Sequence, residues 1–91
     1  MIARNHPTGH PTGAQLRAAR ALVKITVASL AARSGLAQGT INRAESVDGM
    51  APVNSANALL MVRILEDAGV IFLDANASLG PGVRLSQPKS E

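Results

Sequence analysis

Short apolar runs at helical spacing, each closed by residues that interrupt a helix, constrain this chain more than any other feature of its sequence. The first run starts at Ala14 and places one stripe of apolar side chains at Leu16, Ala19, Leu22 and Val23. Residues at this spacing share one face of an amphipathic helix. Because every run is short, we expect a bundle of short helices around one modest core.

Two more helices are predicted directly after the first. Thr26 is a favourable N-cap for a helix over 27–34, and Gly35 ends that helix because glycine readily adopts a left-handed backbone conformation. A third helix is predicted over about 38–46, with Ile41 and Ala44 on its inner side. Only a short turn separates the second helix from the third.

A fourth helix and a β hairpin are predicted for the second half of the chain. Asn54 or Ser55 caps the helix, Gly69 marks its end, and its inward positions are Ala58, Leu59, Val62 and Leu65. The segments 70–73 and 83–85 flank a turn at 80–82, which predicts a loose hairpin. Two strands are only marginally stable alone, so the hairpin must pack on the helices or pair with a second subunit. We expect a symmetric dimer through this segment, with contacts formed by Val70, Ile71, Phe72 and Leu73.

The first thirteen residues contain the sequence His-Pro-Thr-Gly twice in succession. Proline and glycine disfavour regular structure here, so we interpret residues 1–13 as a flexible arm. His6 and His10 have a metal-ligand spacing only on a helix, and no further ligand accompanies them, so we expect no metal site. The remaining organisation is then a helical domain over 14–69, a β segment over 70–85 and a tail over 86–91.

Composition and charge narrow the class of function. With 91 residues and no cysteine, the chain has room for one small core and excludes disulfide frameworks and thiolate chemistry. No apolar run is long enough to span a bilayer, so we expect a cytoplasmic protein. Residues 1–44 contain six basic and no acidic side chains, whereas residues 45–91 contain three basic and six acidic ones. A basic N-terminal half suits a polyanion such as DNA, although a solvated face without a partner has the same composition.

The stretch from Ser29 to Glu45 resembles the helix-turn-helix of the lambda-repressor-like (Cro and XRE) family. Ala31 stands where the two helices cross, Gly35 turns the chain, and Ile41 anchors the second helix of the motif. The resemblance extends over about 14–69. It implies a mainly α, four- to five-helix lambda-repressor-like domain, followed here by a short C-terminal β strand or hairpin.

The resemblance also assigns roles to individual residues. Arg20 and Glu45 match a structural charge pair of the family. The third helix would enter the major groove of DNA and present Gln38, Gly39, Asn42 and Arg43 to base edges. Contacts to backbone phosphates would come from Arg17, Lys24, Arg33 and Thr40.

Three positions depart from the family pattern. Val27 replaces a polar residue that holds a phosphate, Ala37 replaces a Ser or Thr N-cap, and Gly39 weakens the third helix from within. These departures keep a second function open: a protein-interaction module with the same fold, such as an antiactivator or antitoxin. The leading expectation is a sequence-specific DNA-binding transcriptional regulator that acts as a homodimer on a palindromic operator. We expect no enzymatic activity and no cofactor. Binding to a further regulatory protein stays an open alternative.

Overall fold

The computed structural model describes residues 9–87, in which four α helices precede a two-stranded antiparallel sheet. The elements are α1 (Gly13–Val23), α2 (Val27–Ser34), α3 (Gln38–Ala44), α4 (Ser55–Asp67), β1 (Val70–Leu73) and β2 (Gly82–Leu85). The expected class, a mainly helical domain with a C-terminal hairpin, is confirmed. None of the helices within 9–87 has the length and apolar character needed to cross a membrane.

Side-chain caps define the starts of α1, α2 and α4. In α1, Thr12 accepts a hydrogen bond from the Gln15 amide, and the Gln15 side chain accepts one from the Thr12 amide, which is a capping box. Thr26 caps α2 and Asn54 caps α4, each accepting from a backbone amide of the first turn. The predicted cap of α2 is therefore confirmed, and Asn54 is the correct choice for α4. By contrast, α3 starts at Ala37 without a side-chain cap and ends at Ala44, earlier than predicted.

The core forms where α1 and α4 pack on each other and on the sheet, with α2 packed on α3 and α4. Its largest fully buried side chains are Leu16, Leu30, Ile41, Met61, Leu65, Val70 and Phe72. The predicted inward face of α4 is wrong for Leu59, which is 51% exposed, whereas Met61 is fully buried. The buried stripe follows positions 58, 61, 62 and 65, and Leu59 lies about 100° around the helix from Ala58.

The hairpin is packed against its own chain. Val70 pairs with Leu85 and Leu73 with Gly82, and β1 contacts both α1 and α4. Alternate residues of a strand point to opposite faces, which buries Val70 and Phe72 completely and leaves Ile71 and Leu73 half-buried. The expectation that all four residues form a subunit contact therefore needs correction, because Val70 and Phe72 are already enclosed by the helices. The dimer itself stays a prediction.

Part of the expected N-terminal arm belongs to the folded domain. His10 Nε2 donates to the carbonyl of Ala51 at 2.8 Å, and the Ala51 amide donates to the carbonyl of Pro11 at 3.0 Å. Thr12 and Met50 form a β bridge beside them. Residues 10–13 are thus paired with the segment after α3, and the arm interpretation is wrong for them. The rest of the arm, residues 1–8 with His6, lies outside the described residues, as do residues 88–91 of the expected tail.

Gly13 allows the start of α1 to approach the end of α3. Its amide donates to the Gly49 carbonyl at 2.8 Å. A Cβ at this position would overlap the carbonyl oxygen of Val47 and lie 2.8 Å from that of Ala44. Only a residue without a side chain permits this contact, so the second glycine of the repeated sequence is a packing residue.

Gln15 connects the start of α1 to the hairpin. Its side chain is 5% exposed, and its amide nitrogen donates to the carbonyl oxygens of Leu73 and Gly82, both at 3.0 Å. The side-chain oxygen is the one that accepts from Thr12. The nitrogen and the oxygen of this buried side-chain amide therefore both have hydrogen-bond partners. The two bonds from the nitrogen hold the hairpin at its loop end, where Leu73 pairs with Gly82.

We expect Gly13→Ala to lower the free energy of unfolding by about 2 kcal/mol, because the new methyl group would push α1 away from the carbonyls of Val47 and Ala44. Urea denaturation followed by far-UV circular dichroism measures this difference. Gly9→Ala is the matched control, since Gly9 ends the first His-Pro-Thr-Gly sequence and a Cβ there meets nothing within 4 Å. Equal stability of the two variants would contradict the packing role of Gly13.

Candidate nucleic-acid interface

The helices α2 and α3 form a unit, residues 27–44, that is joined by a tight turn. Gly35 has φ +76°, and its amide donates to the Ala31 carbonyl at 2.8 Å. The Leu36 amide donates to Ser34 Oγ at 3.1 Å. Gly35 therefore has the conformation that the sequence predicts. Leu30 of α2 and Ile41 of α3 are fully buried, and Ala31 packs against the same core.

An ion pair holds the end of α3 against α1. Arg20 Nε donates to Glu45 Oε2 at 2.6 Å, and Nη2 donates to Oε1 at 2.7 Å, so the contact is bidentate. Nη1 of the same guanidinium donates to the Ile25 carbonyl at 3.1 Å. Glu45 is 7% exposed, and its hydrogen bond with Arg20 raises the pKa of the guanidinium above the ordinary value. The pairing expected for these two residues is confirmed.

Arg17 binds the same end of α3, and its expected phosphate contact stays a prediction. Nη1 donates to the carbonyls of Glu45 at 2.6 Å and Val47 at 3.0 Å, and Nη2 pairs with Asp48 at 2.6 Å. A cation at a helix C-terminus interacts favourably with the helix dipole. The structure therefore gives Arg17 an architectural role that its phosphate assignment did not include.

The exposed side of α3 contains all four residues expected to contact bases. Ile41 and Ala44 are fully buried, whereas Gln38, Gly39, Asn42 and Arg43 are exposed. We call these four exposed residues the α3 face. No hydrogen bond with another residue between 9 and 87 engages their side chains. Thr40 is half-buried at the edge of this face.

Three exposed cations of the first three helices and their caps form no ion pair with any residue from 9 to 87: Lys24, Arg33 and Arg43. Lys24 lies at the C-cap of α1, Arg33 in the last turn of α2, and Arg43 on the α3 face. Glu45 and Asp48, the acidic residues that follow α3, are paired with arginines of α1. The charge of these three cations is therefore not neutralised by an ion pair within the described residues.

The three residues that depart from the family pattern differ in how they contribute to the local structure. Val27 is half-buried and packs against the core, so it stabilises the start of α2 through an apolar contact. Ala37 provides no side-chain cap, and a Cβ at Gly39 would meet nothing within 4 Å. Gly39 is therefore not required by packing, and α3 is a short helix positioned mainly by its neighbours.

A scan against protein-family models found no match, and neither a search of curated proteins nor a search of solved structures found one. Within residues 9–87, no group of three or more His, Asp or Glu side chains is arranged to hold a metal ion.

Replacing Arg20 by Met should lower the free energy of unfolding by about 3 kcal/mol, because the Glu45 carboxylate would remain buried without its partner. Chemical denaturation of the single and double variants measures the effect. Arg20→Met combined with Glu45→Leu should recover most of the stability, since no charge is then buried. A double variant as unstable as Arg20→Met would rule out the unpaired carboxylate as the cause.

Two changes should stabilise α3 independently. Ala37→Ser introduces the missing N-cap and Gly39→Ala removes glycine from the helix, and each should raise the free energy of unfolding by roughly 0.5–1 kcal/mol. Thermal unfolding of both variants measures the gain. A loss of stability in Gly39→Ala would mean that this position is packed or has a backbone conformation unsuited to alanine.

Proposed function

We propose that this chain is a sequence-specific, double-stranded DNA-binding transcriptional regulator with a helix-turn-helix of the lambda-repressor-like type. The observation that carries the proposal is the α3 face: an exposed helix side whose side chains form no hydrogen bond with another residue from 9 to 87, opposite the buried Ile41 and Ala44. A helix presented in this way fits the major groove, which is wide enough for one α helix.

The side chains of the α3 face match the chemistry of base edges. Gln38 and Asn42 lie one turn apart on the same side of the helix, and the carboxamide of each is able to bond adenine bidentately. Arg43 presents a guanidinium that suits the two acceptors of guanine. Each well-formed base contact contributes about 1–3 kcal/mol of discrimination. These residues therefore support recognition of a sequence rather than of charge alone.

Lys24, Arg33 and Thr40 contact backbone phosphates in this proposal, and Arg17, whose side chain is 41% exposed, stays a fourth candidate. Among residues 9–87, Lys24 and Arg33 form no ion pair, whereas Arg17 binds the end of α3. If Lys24 and Arg33 each neutralise one phosphate, log affinity should fall with log salt with a slope of about −2 per chain. Thr40 remains a phosphate contact in the proposal, although its side chain is half-buried.

A palindromic operator requires two copies of the chain. Half-sites one helical turn of DNA apart are read by two-fold symmetric dimers. In this proposal the protein acts in the cytoplasm as a homodimer, by binding alone, without catalysis or a cofactor. Ile71 and Leu73 are the half-buried residues of β1 that stay accessible to a second subunit.

A second candidate function is a protein-interaction module such as an antiactivator or antitoxin. Met50 is 72% exposed and Leu59 is 51% exposed. Each of these side chains would add apolar area to a contact with a partner protein. A partner protein bound with little dependence on salt, together with no preference for any duplex, would support this candidate over DNA binding.

Selection from a random duplex pool, followed by sequencing of the bound fraction, tests the proposed function. We expect an enriched palindrome at roughly physiological salt. Gln38→Ala and Arg43→Ala should each weaken binding to that palindrome by roughly 5- to 100-fold, the range of one lost base contact, while circular dichroism stays unchanged.

Arg63→Ala is the matched control for Arg43→Ala, because Arg63 is an exposed arginine on a different helix, α4. It removes the same charge and should leave the affinity for the palindrome nearly unchanged. Equal losses in the two arginine variants would mean that Arg43 contributes only nonspecific charge, and would contradict base recognition by this residue. No enrichment from the pool would reject sequence-specific DNA binding.

A further inference from the structure

Gly39 lies at the centre of the α3 face. Ile41 and Ala44 define the buried side of the helix, and Gly39 points away from both. At 3.6 residues per turn, Asn42 lies about 60° to one side of Gly39 and Arg43 about 40° to the other, one turn further along. The middle of the exposed surface is therefore bare backbone between two long polar side chains.

Folding does not explain a glycine at this position. Gly35 and Gly69 have positive φ, and Gly13 is required by a close backbone contact. Gly39 has neither property: it lies within a helix, its φ is not positive, and a Cβ would meet nothing within 4 Å. Glycine also weakens a helix relative to alanine. Glycine at such an exposed position allows another molecule to approach the helix backbone closely.

The gap left by Gly39 lies one turn before Asn42 and Arg43 on the exposed side of α3, and a Cβ at Gly39 would meet nothing within 4 Å. A group that approaches this side of the helix meets the Cα hydrogens of Gly39 instead of a side chain. Because the Cα carries no strong hydrogen-bond donor or acceptor, a small apolar group fits this space best.

On the basis of the proposed function, we infer that the gap at Gly39 receives the C5-methyl group of a thymine in the major groove. Thymine is the base that presents a methyl group there, whereas the other base edges present hydrogen-bond donors and acceptors. Asn42 and Arg43 then bind the bases on either side of it. Gly39 becomes a specificity-determining residue that selects a thymine next to the bases bound by these two side chains.

Uracil substitution tests this inference with the wild-type chain. In the enriched palindrome, each thymine is replaced in turn by uracil, which removes the methyl group and keeps the base pair. One thymine in each half-site should then lose roughly three- to fourfold in affinity, the expected effect of one buried methyl group. Unchanged affinity for every uracil duplex would overturn the inference and leave sequence-specific DNA binding intact.

Two variants separate occupation of the gap from stiffening of α3. Gly39→Asn fills the gap with a polar side chain and should abolish the preference for thymine over uracil at the sensitive position. Ala37→Ser stabilises the same helix and leaves the gap open, so it should keep that preference. Retention of the preference in Gly39→Asn would also overturn the inference. Failure of the wild-type chain to enrich any duplex would reject the proposed function and this inference together.

Discussion

The bidentate ion pair between Arg20 and Glu45 is the interaction on which the position of α3 depends. Arg20 projects from the last turn of α1, binds the connection to α2 through the Ile25 carbonyl, and binds the residue that follows α3. Arg17, three residues earlier, holds the carbonyl of that same Glu45. Because α3 is short and has no side-chain cap, these contacts and the burial of Ile41 determine how the helix is presented. Of the two arginines, Arg20 is only 21% exposed, whereas the Arg17 side chain remains 41% exposed.

Glycines perform different tasks in this small chain. Gly35 supplies a left-handed turn between α2 and α3, and Gly13 permits the backbone of α1 to touch the loop after α3. Both improve the fit between helices, whereas Gly39 contributes nothing to packing and weakens its helix. A chain that maximised stability alone would carry alanine there. Under the proposed function, the weakening of α3 by Gly39 is the stability that is given up for an open binding surface.

Local signals predicted the helices well because their causes are local. Thr26 and Gly35 delimit α2 through a cap and a backbone conformation, and both are visible in the sequence. The capping box of α1 follows the same local rule, since Thr12 precedes Gln15 by three residues, although the proline and glycine of the repeat indicate irregular structure. The roles of Arg17 and Phe72 depend on contacts with segments that are distant along the chain. The spacing of apolar residues does not specify which segments these are. The α3 face was predictable as a surface, because helical spacing separates it from Ile41 and Ala44.

The contact of Gln15 with the hairpin also determines how the two strands are aligned. The loop over residues 74–81 is too long to impose the strand register in the way a two-residue turn does. Gln15 donates to Leu73 and Gly82, which are opposite each other in the sheet, so a slip by one residue would break this pair of hydrogen bonds. A slip of β1 would also turn Phe72 from the core toward solvent. The first turn of α1 therefore helps to fix the register of the two C-terminal strands. The two ends of the domain should consequently unfold, and exchange their amide hydrogens, as one cooperative unit.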